Sequence, residues 1–141
     1  MAGRITELAH RYQAQLVLNR SLPVFQRCAA DGVHLSSRRL CAQSERPVPL
    51  DVYLSASCHN PAEVEQANRI GADFIVVSPV QATASHPQAQ PLGWERLRDL
   101  TRLAQMPVYA LGGMGPADIG KAQLHGAQGI AAISSLWSES V

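Results

Sequence analysis

The chain has 141 residues, of which 46% are hydrophobic and 16% charged, a composition typical of a globular domain rather than a disordered chain. Its formal net charge of +1 gives no reason to expect nucleic acid or an anionic membrane as a partner. No apolar run reaches membrane-spanning length and the N-terminus lacks the pattern of a signal peptide. We therefore expect a cytoplasmic protein with one domain over residues 1–141, whose three cysteines are reduced thiols.

Helical and strand patterns alternate along the chain. Four apolar residues at helical spacing predict an amphipathic helix over residues 4–14: Ile5, Leu8, Ala9 and Tyr12. Apolar runs predict strands over residues 16–18, 32–35, 52–57, 73–78, 107–111 and 129–133. Helices are predicted between them over residues 22–30, 61–70, 93–105 and 116–125, with a short helical turn ending at Leu40. This alternation indicates βα units and a parallel sheet, with about six strands where a closed barrel needs eight.

The last two predicted strands end in small residues that leave backbone N–H groups accessible. Gly112 and Gly113 follow one strand, and Ile133 and Ser134 follow the other. N–H groups at such turns attract anions, and in a βα barrel the phosphate site lies between the loops after the last two strands. The glycines could equally serve only to turn the chain. The sequence leaves a phosphate cup and a plain turn as alternatives.

Residues 79–92 form the longest irregular stretch, and their proline and small polar residues are typical of a functional loop. The order of LVLNR, ADGVHL, SASCHN, SPVQATASHP, PVYALGGM and GAQGIAAISSLW along the chain resembles the thiamine phosphate synthase/TenI family. Within that family the chain is most similar to the synthase-like domain at the C-terminus of some bacterial MutT-type Nudix hydrolases. The resemblance implies an α/β fold of the TIM-barrel type that lacks its first βα units.

The resemblance also implies a substrate class. Synthases of this family join a hydroxymethylpyrimidine diphosphate to a thiazole phosphate and release pyrophosphate, with Mg²⁺ on the diphosphate. Carried over by position, the phosphate cup consists of Gly112, Gly113, Ile133 and Ser134. Further contacts with substrate are implied for Asn19, Arg20, Arg39, Ser57, Thr83 and Ser85.

The chain departs from the family pattern where Mg²⁺ would bind. Arg20 and Arg39 stand in place of two metal-binding carboxylates. Arginine has only donors and stays protonated, so it cannot bind Mg²⁺, whereas it binds phosphate through a forked pair of hydrogen bonds. We therefore expect no metal or other cofactor, and a domain that binds a small phosphorylated ligand without Mg²⁺-dependent synthase activity.

Two histidines are candidates for proton transfer. His86 replaces a lysine of the family's long loop and could be a general acid or base, or could simply face a phosphate. The pair Cys58-His59 is interpreted as a buried thiol and a strand-end histidine, because adjacent strand residues point to opposite faces. Pro79 stands where TenI-type tautomerases carry a histidine, so that activity is not supported.

Whether the chain is an enzyme therefore stays open from the sequence. One alternative is an active thiamine phosphate synthase in thiamine biosynthesis, and another is a structural or interaction domain that accompanies a Nudix hydrolase. In every case an open parallel sheet leaves backbone groups and apolar surface unpaired. We expect either a homo-oligomer or an N-terminal domain that completes the barrel.

Overall fold

The structure, a computed structural model, describes residues 2–19, 21–84 and 87–136, with only the backbone of residues 2 and 3. In these ranges the strands are β1 (Val17–Leu18), β2 (Gly32–Leu35), β3 (Tyr53–Cys58), β4 (Phe74–Val77), β5 (Val108–Leu111) and β6 (Gly129–Ala131). The helices are α1 (Ala2–Arg11), α2 (Leu22–Phe25), α3 (Ser37–Cys41), α4 (Pro61–Arg69), α5 (Gly93–Leu103) and α6 (Ile119–Leu124), the last preceded by a 3₁₀ turn at Pro116–Asp118. None of the described helices is long and apolar enough to cross a membrane.

The sheet has six strands in the order β1-β2-β3-β4-β5-β6, and every neighbouring pair is parallel. The register runs from Val17 opposite Gly32 at one edge to Leu111 opposite Ala131 at the other. A strand that pairs with its successor through an intervening helix is the unit of a βα barrel. The predicted fold class is confirmed: the six strands form a curled half-barrel, an incomplete α/β barrel.

The two faces of the sheet are packed very differently. Along β3, alternate residues Leu54 and Ala56 are fully buried and belong to one apolar cluster with Leu97 and Leu100 of α5. The residues between them in sequence point to the other, inner face, as the period of a strand requires. That inner face lines an open cavity of about 540 Å³ that reaches from Val17 of β1 to Ala131 of β6. The apolar core therefore lies between the sheet and its helices.

Helix α4 begins as the sequence predicts and fixes the residues just before it. The Asn60 side chain accepts a hydrogen bond from the Glu63 N–H at 3.0 Å, and the Glu63 carboxylate accepts one from the His59 N–H at 2.6 Å. These bonds satisfy donors that the first turn of a helix leaves unpaired. The helix is followed by Gly71, whose φ of 68° suits a residue without a side chain.

Arg46 joins the segments that lead into β3 and β4. Its guanidinium donates to the carbonyl oxygens of Val48 at 3.1 Å and Val52 at 2.8 Å, and to that of Gly71. It also forms an ion pair with Asp73 at 2.8 Å. One largely buried side chain therefore organises the amino ends of two central strands.

Two predicted helices differ from the structure. The helix predicted over residues 22–30 ends at Phe25, because α2 has no buried residue and no side-chain cap to stabilise further turns. The helix predicted over residues 4–14 ends at Arg11, and the chain reverses through Gln13 at a φ of 57°. The predicted apolar side of α1 is not buried either, since Leu8 is 52% exposed.

Candidate functional site

A cavity of about 710 Å³ opens at the carboxyl ends of β4, β5 and β6. The loop after β4 and the turns after β5 and β6 supply most of its wall. It is lined in part by Thr83, Gly112, Gly113, Ile133 and Ser134. The structure therefore brings together the four residues predicted for the phosphate cup and one of those predicted to contact substrate. Their binding role stays a prediction.

The turn after β5 needs glycine at two positions. The φ angles of Gly112 and Gly113 are 102° and 64°, which residues with a side chain rarely adopt. A Cβ on Gly112 would lie 2.8 Å from the Cα of Pro79, and one on Gly113 would meet the carbonyl oxygen of Ala82. Since the loop after β4 approaches this closely, chain reversal and packing already account for both glycines. A ligand role must rest on their N–H groups.

The turns after β5 and β6 are joined to each other. The Ser135 hydroxyl donates a hydrogen bond of 2.7 Å to the carbonyl oxygen of Met114. The N–H groups of Gly113, Ile133 and Ser134 donate to no other residue that the structure describes. Two linked turns that line one cavity and carry N–H groups without a described acceptor are suited to bind an anion. The described residues that line this cavity include no Asp, Glu, Lys or Arg, so an anion there would depend on neutral donors.

His59 also lines the cavity, which sequence reasoning did not predict. Its Nδ1 lies 2.6 Å from the carbonyl oxygen of Ser78. A carbonyl only accepts, so Nδ1 carries a proton and Nε2 of the neutral ring is an acceptor. The position immediately after a strand, at the carboxyl rim of a βα sheet, is the feature that could have indicated this role. The neighbouring Cys58 is buried as predicted, and burial raises the pKa of its thiol to about 12.

The Ser57 side chain contacts an interior histidine and does not line the cavity. His34 Nδ1 lies 2.8 Å from Ser55 Oγ, and His34 Nε2 lies 2.8 Å from Ser57 Oγ. Burial, and secondarily the charge of Arg39, lowers the pKa of His34 and favours its neutral form. Ser57 is not among the cavity's lining residues, so its contact with substrate stays a prediction.

Asn19 and Arg39 follow β1 and β2, at the other side of the half-barrel from the cavity. An Nη atom of Arg39 donates to Asn19 Oδ1 at 2.5 Å, and Arg39 Nε donates to Ser36 Oγ at 3.3 Å. A guanidinium that occupies the amide oxygen does not fit Mg²⁺, which needs oxygen donors free of competing cations. Among the described residues no group of three or more His, Cys, Asp or Glu could hold a metal ion. The expected absence of a metal cofactor stays a prediction. The remaining predicted site residues, Arg20, Ser85 and His86, lie outside the described residues.

A family model described as thiamine monophosphate synthase (TMP-TENI) matches residues 1–136. The chain belongs to this family. It is 35% identical over 134 residues to "Putative thiamine-phosphate synthase 2" of Aquifex aeolicus, a match that covers 95% of this chain and 72% of that protein. It is 35% identical over 137 residues to the "Thiamine biosynthesis bifunctional protein ThiM/ThiE" of Symbiobacterium thermophilum, covering 96% of this chain and 28% of that protein.

A solved structure has a fold similar to that of this chain. The thiamine phosphate pyrophosphorylase of Pyrococcus furiosus superposes with a TM-score of 0.76 at 24% identity. That superposition covers 94% of this chain and 63% of the Pyrococcus chain, so the Pyrococcus chain extends well beyond the half-barrel. At this identity the likeness shows the fold alone.

The relatives' names bear on the two main functional alternatives. The relatives from Aquifex aeolicus and Synechococcus are named as a putative thiamine-phosphate synthase and a thiamine-phosphate synthase, and that from Symbiobacterium thermophilum as a bifunctional protein of thiamine biosynthesis. These names favour an active synthase over the ligand-binding domain without synthase activity that we expected from Arg20 and Arg39. An association with a Nudix hydrolase stays a prediction.

Proposed function

We propose that this chain carries the thiazole-phosphate half of a thiamine-phosphate synthase site and acts in thiamine biosynthesis. The observation that carries the proposal is the cavity at the carboxyl ends of β4–β6, where Gly112, Gly113, Ile133 and Ser134 all lie. Membership of the thiamine monophosphate synthase family and the names of its relatives support the reaction class.

In the proposed complex the phosphate of the thiazole ligand accepts hydrogen bonds from the N–H groups of Gly113, Ile133 and Ser134. Hydrogen bonds to a charged acceptor contribute about 1.5–3 kcal/mol each. Most of the remaining wall is apolar, with Ala82, Leu92 and others beside the turns. That part of the cavity suits a flat heterocycle attached to the phosphate.

His59 is placed to contact the same ligand. Its Nδ1 proton is held by Ser78, so Nε2 can accept a hydrogen bond or a proton from a bound molecule. The hydrogen bond from its N–H to Glu63 fixes the backbone that carries it. In this arrangement His59 orients the ring and the two turns hold the phosphate.

A second candidate is a binding domain without synthase activity, and the contact between Arg39 and Asn19 favours it. The family resemblance implies that Arg39 stands in the position of a metal-binding carboxylate, and a cation there disfavours Mg²⁺-dependent diphosphate chemistry. A guanidinium at this rim would bind a phosphate group directly through paired hydrogen bonds. In that case the chain would bind phosphorylated ligands at both sides of the half-barrel.

Calorimetric titration with hydroxyethylthiazole phosphate tests the cup, with the unphosphorylated thiazole as the reference ligand. Ser134→Pro removes one N–H and should weaken binding of the phosphate by at least tenfold, about the loss of one charge-assisted hydrogen bond. Ser134→Ala keeps the N–H and should bind within a few-fold of the unsubstituted protein. Equal affinity for the two thiazoles would refute the cup.

A synthase assay with both substrates, with and without Mg²⁺, separates the two candidates. Turnover supports the synthase. Phosphate-dependent binding without turnover under either condition supports the binding domain. A cytoplasmic location, a single domain over residues 1–141 and a place beside a MutT-type Nudix hydrolase remain predictions.

A further inference from the structure

Asp118 joins the loop after β4 to the turn after β5. Its Oδ1 accepts a hydrogen bond from Gln81 Nε2 at 3.3 Å, and its Oδ2 accepts one from the Gly115 N–H at 2.9 Å. The residue ends the 3₁₀ turn Pro116–Asp118 and is half-buried. It is not among the residues that line the cavity of about 710 Å³. Asp118 therefore holds two segments next to the cavity without lining the cavity itself.

Through Gln81, this carboxylate acts on the direction of the Gly113 N–H. The backbone N–H of Gln81 donates to the carbonyl oxygen of Gly112 at 3.1 Å. That carbonyl and the Gly113 N–H belong to one trans peptide group, whose planar geometry makes them point in opposite directions. Gly113 lines the cavity and Gln81 does not. The hydrogen bonds from Asp118 to Gln81 and from Gln81 to Gly112 therefore set the direction of an N–H in the cavity wall.

The peptide group between Met114 and Gly115 is held at both of its polar atoms. The Met114 carbonyl oxygen accepts a hydrogen bond of 2.7 Å from Ser135 Oγ, and the Gly115 N–H donates to Asp118. The Met114 side chain is 5% exposed and belongs to the apolar core. This peptide group cannot rotate without breaking a hydrogen bond. Gly113 therefore lies between two restrained peptide groups, although glycine itself rotates freely.

We propose that Asp118 and Ser135 are positioning residues of the phosphate cup, which hold the peptide groups on both sides of Gly113 so that its N–H is directed at the phosphate before the ligand binds. The inference rests on the proposed function, since it requires a phosphate in the cup. A flexible glycine turn would lose conformational entropy on binding, whereas a turn that is already held does not. The role of Asp118 depends on its hydrogen bonds, because the negative charge of a carboxylate alone would repel an anion.

Titration with hydroxyethylthiazole phosphate and with the unphosphorylated thiazole tests Asp118, because only the phosphate should depend on the Gly113 N–H. Asp118→Ala should weaken phosphate binding by at least about tenfold, the loss of one charge-assisted hydrogen bond, and leave the unphosphorylated thiazole within a few-fold. Asp118→Asn should keep both affinities within a few-fold, since its amide oxygen can accept from Gly115 and the Gln81 amide can rotate to present its oxygen. The matched control Asp51→Ala removes an exposed carboxylate before the amino end of β3 and should change neither affinity.

Ser135→Ala tests the other side of the same peptide group. It should weaken phosphate binding by about threefold to tenfold, the loss of one neutral hydrogen bond. Ser135 is exposed, so this variant should fold whether or not Asp118→Ala does. The matched control Ser44→Ala removes the hydroxyl of an exposed serine between α3 and β3 and should leave binding unchanged.

The outcomes separate this inference from the proposed function. Full phosphate affinity in both Asp118→Ala and Ser135→Ala would overturn the positioning role and leave the cup intact. An equal loss in Asp118→Asn and Asp118→Ala would also overturn it, because the charge of Asp118 would then matter instead of its hydrogen bonds. Equal affinity of the unsubstituted chain for the two thiazoles would refute the cup, and the positioning role with it.

Discussion

Gly112 offers the sharpest test of how the loop after β4 packs on the turn after β5. Alanine at this position would hold a φ of 102° and place its Cβ 2.8 Å from Pro79 Cα and 3.1 Å from Val80 N. A left-handed backbone costs an L-residue at least about 1–2 kcal/mol. Overpacking against a backbone that cannot move freely adds about 1–3 kcal/mol. We expect Gly112→Ala to lower the free energy of unfolding by about 2–5 kcal/mol.

Gly93→Ala is the matched control for this experiment. Gly93 also has a positive φ, 78°, but a Cβ there would meet nothing within 4 Å. Gly93→Ala should therefore lower the free energy of unfolding only by the backbone contribution, about 1–2 kcal/mol. Urea unfolding measures both variants, and titration with hydroxyethylthiazole phosphate shows whether displacement of the loop also weakens the cup. Equal destabilisation of the two variants would refute the close approach of loop and turn.

Three further outcomes follow from individual contacts. Burial raises the pKa of Cys58 to about 12, so at pH 8 a thiol reagent should label exposed Cys41 quickly and Cys58 only on unfolding. The lowered pKa of His34 means that the folded state binds the His34 proton less tightly than the unfolded state does. The free energy of unfolding should therefore fall as pH drops below about 6.5. In urea unfolding, His34→Gln should remove that part of the decline. Arg46→Lys should lose about 1.5–3 kcal/mol in the same assay because an ammonium cannot reach all the acceptors that the guanidinium contacts, whereas Arg69→Lys, at an exposed position of α4, should be neutral.

The sequence predicts the βα order well because that order is encoded locally. The cap at Asn60, the stop at Gly71 and the apolar runs of β2 to β5 each act within a few residues, and the structure has elements at those places. The sequence-based predictions fail where the extent of an element depends on packing against residues distant in the chain. α2 stops early because none of its side chains is fully buried, and periodicity within the sequence carries no information about that.

The candidate site divides in the same way. Gly112, Gly113, Ile133 and Ser134 follow strands directly, so position along the chain is enough to bring them to one rim. Asn19 and Arg39 also follow strands, but the curl of the sheet carries them away from that cavity and into contact with each other. Sequence reasoning did not predict that His59 lines the cavity. Its neighbour Cys58 is a core residue, and the alternation of side chains along a strand gives no information about the first residue after the strand.

Placement of the core on the outer side of the sheet has a kinetic consequence. Every strand pairs with the one that follows it, so each pairing joins neighbouring βα units, as Val17 pairs with Gly32 and Tyr109 with Gly129. Folding can nucleate in any βα unit and propagate to its neighbours, as in a repeat protein. Formation of the hydrophobic core therefore does not wait for closure of the barrel. Substitutions in the apolar layer between the helices and the sheet should therefore change the rates of folding and unfolding, whereas substitutions on the inner surface of the sheet should leave both rates nearly constant.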